Sequence, residues 1–336
     1  MVTEHYFSHN FNQSDLPEAL RSILVETNFI LSELVFQGKI YEDGKLGTSI
    51  YEGIWRGHQA ALKIQLLQLD RSEIQNIQDF IRTNNSKLIR LPEVYISKEC
   101  SSSADPGYIV SEWIAAPKIY TYPLANEAEM LDFLIFYKEY KNNTLKQPFY
   151  ANQTNISANT FSNQRVQNWL NIVTDQNKLN PLKNEISQRY FEASNKYFDG
   201  TVMEFMHSHL GAEDIFKMPD GQYVLMSNAF FGYRPTGYDL TFHIWFGLKS
   251  LRDLEFDLPQ AISYLEKWLT GYKNSNLEIA KDCLEKVFYI NFLERCTGAI
   301  IIDLDNQEYN QDVELHKHHL REIFLGLFEY CLDKLN

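Results

Sequence analysis

The sequence predicts a mixed α+β chain in two parts, a small antiparallel sheet with its helices followed by a larger helical region. Three observations carry this. Between Gly38 and Trp113, short alternating apolar runs are separated by glycine-rich or charged turns, which is the pattern of strands. One amphipathic segment interrupts them, with Ile74, Ile77, Phe80 and Ile81 at spacings of three and four. After Pro117 that helical spacing takes over. The expected division is 1–116, an N-terminal helix with the sheet, and 117–336, the helical part; a chain of 336 residues has the length for both.

Strands are expected at Gly38 to Tyr41, Thr48 to Trp55, His58 to Gln65, Leu91 to Ile96 and Tyr108 to Trp113, and a helix at Ser72 to Thr83 with Arg71 and Ser72 near its start. The order is therefore β-β-β-α-β-β. Helices follow at Glu127 to Tyr140, Arg165 to Thr174, Leu182 to Lys196, Leu258 to Tyr272, Leu277 to Arg295 and Val313 to Leu335. Lys141 to Asn163 is polar, rich in Asn and Thr and interrupted by Pro148, and reads as a loop or insertion. Inside the helical part a strand-turn-strand island is expected at Asp214 to Met218 and Gln222 to Met226, because Pro219, Asp220 and Gly221 are hairpin residues.

Thirty-one Lys and Arg against 44 Asp and Glu leave a net charge of −13, spread along the chain. That balance speaks against sequence-independent binding of nucleic acid, whose phosphates demand a basic surface. An apolar content of 44% with 14% aromatics excludes a disordered chain. No basic start leads into an apolar stretch at the N-terminus, and apolar runs such as Ala299 to Ile302 fall far short of the ~20 residues that cross a bilayer. Cys100, Cys283, Cys296 and Cys331 are widely spaced with no CxxC pair, which fits reduced thiols and a cytoplasmic location away from membranes.

Two stretches carry candidate chemistry. Gly44-Lys-Leu-Gly47-Thr48-Ser49 is a glycine turn between strands, where backbone N–H groups can approach phosphates, and Lys63 on the third strand can reach the same anion from the side. Lys63 interrupts the apolar run AALKIQLL, where an unpaired ammonium is costly to bury, so it needs an acid. Glu73 on the following helix is the obvious one. The pair could equally serve only to hold sheet and helix together. The second stretch is Met206-His207-Ser208-His209-Leu210-Gly211-Ala212-Glu213-Asp214, followed by PDGQYVLMS and by Gly237-Tyr238-Asp239-Leu240.

In order, the glycine turn, AALKI, the amphipathic helix, IRLPEVY, YIVSEWI and this second stretch resemble the aminoglycoside phosphotransferase and choline kinase family, whose fold is two-lobed and protein-kinase-like. The similarity runs from about Gly38 to Trp245 and, less specifically, through the terminal helices from Leu265 onward. It implies that Gly47, Thr48 and Ser49 cover nucleotide phosphates, that Lys63 contacts them, and that Glu73 holds Lys63. It implies also that Glu112 to Ile114 form the hinge that meets adenine. Asp239 resembles the helix aspartate that braces the catalytic loop through backbone N–H groups, a structural role. The implied cofactor is ATP with Mg2+ or Mn2+.

The chain departs from the family pattern where the chemistry lies. The family's His-Gly-Asp, whose aspartate accepts the proton of the acceptor hydroxyl, here reads His207-Ser208-His209. Asp214 stands where the family has Asn, and Ser227, next to Asn228, stands where it has the metal-bearing aspartate. Phosphoryl transfer depends on positioning and on neutralising charge with metal ions, and removing one stabilising group commonly costs about 10²- to 10³-fold in rate. Two missing carboxylates predict a catalytically impaired pseudokinase that binds a nucleotide, a small molecule or a protein partner in the interlobe cleft. The alternative is an active ATP-dependent small-molecule kinase in which the imidazole of His209 takes the proton. Asp214 with Glu213 would then hold a displaced cation.

Two other clusters read as bland. Glu314 with His318, and His316 with His319, share helix faces pairwise, but neither pair brings the three ligands to one side that a zinc site needs. A solvated helix face is expected there. Asp303, Asp305 and Glu308 read as an acidic turn after an apolar strand, AIIID. There is no GxSxG elbow, HExxH or P-loop lysine motif.

Overall fold

Alternation along β3 decides how the first sheet is built. In the computed structural model the described residues are 16–37, 48–65, 72–100, 106–120, 123–144, 156–275, 281–304 and 311–336. Among them the order begins α1 (Leu16–Thr27), β1 (Ile30–Gln37), β2 (Ser49–Trp55), β3 (His58–Gln65), α2 (Glu73–Thr83), β4 (Ile89–Arg90), β5 (Val94–Lys98) and β6 (Gly107–Glu112). It continues α3 (Glu127–Glu139), α4 (Ala158–Asp175), α5 (Pro181–Tyr197), β7 (Met203–Met206), β8 (Ile215–Lys217), β9 (Tyr223–Leu225) and β10 (Gly232–Pro235). Four helices close the chain: α6 (Tyr238–Lys249), α7 (Leu258–Asn274), α8 (Lys281–Gly298) and α9 (Gln311–Leu335). The chain divides into one unit of Met1–Pro117 with Phe216–Ala229, and a second of Lys118–Ile215 with Phe230–Asn336.

In the first unit five antiparallel strands lie in the order β1-β2-β3-β6-β5. Successive side chains of a strand point to opposite faces. Ala60, Leu62 and Ile64 therefore join Ile23, Phe29, Tyr51, Tyr108 and Val110 in one buried cluster, while Lys63 turns to the other face. The first strand is Ile30–Gln37, whereas the expected Gly38 to Tyr41 lies outside the described residues. The expected strand Leu91 to Ile96 loses its first three residues, because Pro92 has no N–H for a ladder. Ile89 and Arg90 pair in parallel with Tyr223 and Val224, and β5 starts only at Val94.

The island forms as a hairpin: Met218 N donates to the Gln222 carbonyl at 2.8 Å, and Gly221 takes a φ of +85° that favours glycine. Sequence reading assigns it to the helical part. From Phe216 on it belongs to the first unit instead, because β9 lies beside β4 and Tyr223 N donates to the Leu88 carbonyl at 2.6 Å.

The second unit is built around α6, which is buried from Tyr238 to Trp245. Phe133 of α3 stacks on His243 of α6 with ring centroids 3.7 Å apart, and Trp268 of α7 meets both rings edge-on at 5.3 Å. Three expectations change here. The expected loop Lys141 to Asn163 contains a π-helical turn at Tyr140–Thr144, and α4 already begins at Ala158, because the Ser157 side chain caps it by accepting from Thr160 N. AIIID is not a strand but a π-helical turn extending α8, closed by Leu304 N donating to the Ala299 carbonyl at 3.0 Å. His316 and His319 do not face solvent freely: their rings bond the carbonyls of Arg252 and Phe256. Cys100, Cys296 and Cys331 are free. No helix among the described residues is long and apolar enough to cross a membrane.

Candidate functional site

In the first unit, β3 brings Lys63 to α2, where its ammonium pairs with the Glu73 carboxylate. Glu73 is the first residue of α2, and Ser72 caps that helix by accepting from Gln75 N at 3.1 Å. A carboxylate there is favoured by the helix N-terminus as well as by the lysine. Glu73 is 6% exposed and the Lys63 side chain 21%, so the acid is buried while the ammonium keeps a route to solvent. Of the turn residues, Thr48 is half-buried, Ser49 is buried opposite Ile64, and Gly47 lies outside the described residues.

Glu112 ends β6, and Ile114 follows it two residues later. Glu112 is held by Arg90, whose two terminal nitrogens donate to its two oxygens at 2.6 and 2.8 Å, and Glu93 N donates to it at 3.2 Å. Burial works to raise its pKa, but the Arg90 and Glu93 donors and the Arg90 charge bring it below the ordinary carboxylate value. Ile114 is buried. In the hairpin's exit, Ser227 takes a φ of +58°, and Asn76 of α2 donates to the carbonyls of Asn228 and Ala229 at 3.1 and 3.3 Å. This anchor of the segment after the hairpin gives no periodic signal in the sequence.

In the second unit the loop after β7 is fixed from below. Asp239, wholly buried near the start of α6, accepts from Ser208 N at 2.9 Å and from the Tyr140 hydroxyl at 2.7 Å. The same hydroxyl accepts from His207 N at 2.6 Å. Burial pushes the Asp239 carboxyl above its ordinary pKa, against His207 and the Tyr140 bond, which favour the charged form. Asp239 thus bonds the backbone of the loop, and Tyr140 is a second anchor that the sequence does not announce. Ser208 holds a φ of +68°, in the left-handed region where glycine is at ease and other residues are strained.

His209 is the loop's accessible ring. Its Nδ1 lies 3.2 Å from Oδ2 of Asp214, with the two side chains 32% and 7% exposed. Gly211 N donates to the same oxygen at 3.3 Å, and a Cβ on Gly211 would come within 3.1 Å of it, so a side chain there would press on the carboxylate. Phe230 stacks on the imidazole at 5.0 Å, and Phe242 and Phe246 lie at 4.9 and 5.9 Å. Burial and the Asp214 charge raise the pKa of Glu213, and Lys118 and His209 oppose this.

A divalent ion fits this donor set poorly. Hard cations select several anionic or carbonyl oxygens. Here one oxygen of Asp214 is shared between His209 and Gly211. Among the described residues there is no group of three or more His, Cys, Asp or Glu able to hold a metal ion, and that includes the His316 region.

Solved structures share this fold. Aminoglycoside phosphotransferase APH(4)-Ia superposes with a TM-score of 0.61 at 11% identity, over 92% of this chain and 99% of that one. An amicoumacin kinase solved in complex with AMP-PNP, Ca2+ and Ami gives a TM-score of 0.59 at 15% identity, over 93% and 95% of the two chains. A Plasmodium vivax ethanolamine kinase gives 0.55 at 9% identity, over 93% and 83%. No family model matches the chain, and no curated protein matches it in sequence. The protein-kinase-like α+β fold expected from the sequence is the fold of this chain.

Proposed function

We propose that this chain is a kinase-fold phosphotransferase relative that binds a nucleoside triphosphate through its first unit and is impaired in metal-dependent transfer. The contrast between the two units carries the reading. The Lys63–Glu73 pair is complete, whereas the carboxylate left near the catalytic loop, Asp214, is engaged by His209 and Gly211. Lys63 would supply positive charge to the phosphates, with Glu73 holding its ammonium in place. The fold neighbours solved with ADP, or with AMP-PNP and Ca2+, support a nucleotide as ligand. The reading is of a cytoplasmic protein whose other ligand is a small molecule or a protein partner, not nucleic acid.

Thermal unfolding with ATP, with and without Mg2+ or Mn2+, tests it. Ligand at 100 times its Kd adds about 2.7 kcal/mol of stability. The wild type is expected to gain stability and Lys63→Met to lose most of that gain. No gain in the wild type would end the nucleotide reading, and turnover in the ordinary kinase range of about 1–100 s⁻¹ would end the claim of impairment.

A further inference from the structure

We infer that β1 is a self-association edge: it pairs antiparallel with β1 of a second copy of this chain about a two-fold axis at Leu34, joining two five-stranded sheets into one. The inference concerns the first unit alone and does not depend on the nucleotide reading. β1 ends its sheet, so one side of its backbone has no strand beside it among the described residues. An edge of that kind is a template for another strand. Its large apolar side chains, Ile30, Leu31, Leu34, Val35 and Phe36, are 38% to 66% exposed. Apolar groups gathered on one exposed element mark an interaction surface, whereas single ones scattered over a protein do not.

The existing ladder limits how two such edges can meet. Residues directly opposed across an antiparallel pair lie on the same face of the sheet. Leu31 and Leu34 stand opposite Gly53 and Tyr51, on the face of the buried cluster, while Ile30, Glu33 and Phe36 stand opposite Ile54, Glu52 and Ile50 on the other face. Register shifts at Ser32 and Val35 produce this spacing. A two-fold axis sets one residue against its own copy, and all other pairs must then match in face. Near the middle of β1 two positions allow this. An axis at Glu33 would line up four carboxylates across the joined sheet, Glu52, Glu33 and their two copies, and like charges so opposed repel. An axis at Leu34 lines up Tyr51, Leu34 and their copies instead, and sets Glu33 opposite Phe36 of the second copy. Charge therefore selects Leu34, and the second copy supplies its apolar partner by symmetry.

Two terms oppose the association. Each copy carries a net charge of −13, which repels the other at low ionic strength. A single strand pair is also small beside the ~1,600 Å² of a standard interface. The dimer is therefore expected at high protein concentration, and salt, which screens the repulsion, is expected to favour it.

Sedimentation velocity of the full chain between ~1 and ~200 µM tests the inference. A shift from monomer to dimer with rising concentration is expected, larger at ~0.5 M salt than at ~0.05 M. Leu34→Glu, which sets two carboxylates against each other at the axis, should abolish the shift, whereas Glu33→Gln should leave the dimer in place. Leu34 is 47% exposed, so the substitution leaves the core intact. Opposed Cβ atoms lie about 4.5–5.5 Å apart, so Leu34→Cys should give a disulfide-linked dimer on mild oxidation that the wild type does not. A monomer at every concentration and salt overturns the inference. So does a dimer that survives Leu34→Glu, or one that Glu33→Gln strengthens many-fold, which would move the axis to Glu33. Hydrogen exchange of the wild type gives an answer without variants. The β1 amides should exchange more slowly as concentration rises, and amides already protected in the monomer would show an edge covered within one chain and overturn the pairing.

Discussion

Replacing Tyr140 with Phe removes one oxygen that does two things in the buried floor of the loop. It donates to Asp239 at 2.7 Å and accepts from His207 N at 2.6 Å. The ring itself is fully buried, so the substitution keeps its packing. A hydrogen bond to a charged group contributes about 1.5–3 kcal/mol, and a buried N–H stripped of its acceptor costs about 1–3 kcal/mol. Tyr140→Phe should therefore cost about 3–5 kcal/mol, unusually large for the loss of a single atom. Urea unfolding followed by aromatic circular dichroism measures it as a lower midpoint at unchanged slope. A cost below about 1 kcal/mol would show that the hydroxyl is not what ties Asp239 to the loop, because neither bond could then carry the value that its burial demands.

Ser208→Gly should leave stability unchanged or raise it by up to about 1 kcal/mol, because glycine accepts the φ of +68° without strain; Ser208→Val should lower it in the same thermal assay. His243 makes the protein sensitive to acid. Burial, opposed by the Leu210 carbonyl and the Asp214 charge, lowers its pKa from 6.5 to about 3, so below pH 6.5 the unfolded chain binds a proton that the folded chain refuses. Its contribution is complete above that pH and falls as pH drops toward about 3, with a slope of up to about 1.4 kcal/mol per pH unit. Unfolding across a pH series should show this slope in the wild type and a shallower one in His243→Phe. Arg90→Leu should raise the pKa of Glu112, since burial then acts without its guanidinium counterweight, and carboxyl NMR titration would show no change if Arg90 were a bystander.

Legibility followed periodicity. The amphipathic spacing of Ile74, Ile77 and Phe80 gave α2, and the PDG turn gave the hairpin. Lys63 was legible as a charge in need of an acid, and Glu73 was near enough in sequence to be proposed. By contrast, Pro92 hid a break inside one apolar run, and Ser157, a capping residue in a polar stretch, hid the start of α4. The resemblance supplied Asp239, but not Tyr140, which lies 99 residues before it and meets it only through packing.

Residue identity alone determined which groups stand at the loop: an imidazole at 209, a carboxylate at 214 and a hydroxyl at 227. Local pattern determined the alternation that turns Lys63 away from Leu62 and Ile64, because a strand's side chains can face only two ways. Only the tertiary structure decided which group neutralises which. The Asp214 carboxylate could have met a cation or an imidazole, and the fold brings it to His209 beneath three phenyl rings. Such pairing depends on distances of a few ångströms between side chains on turns without any repeat, and a one-dimensional pattern carries no information on that scale.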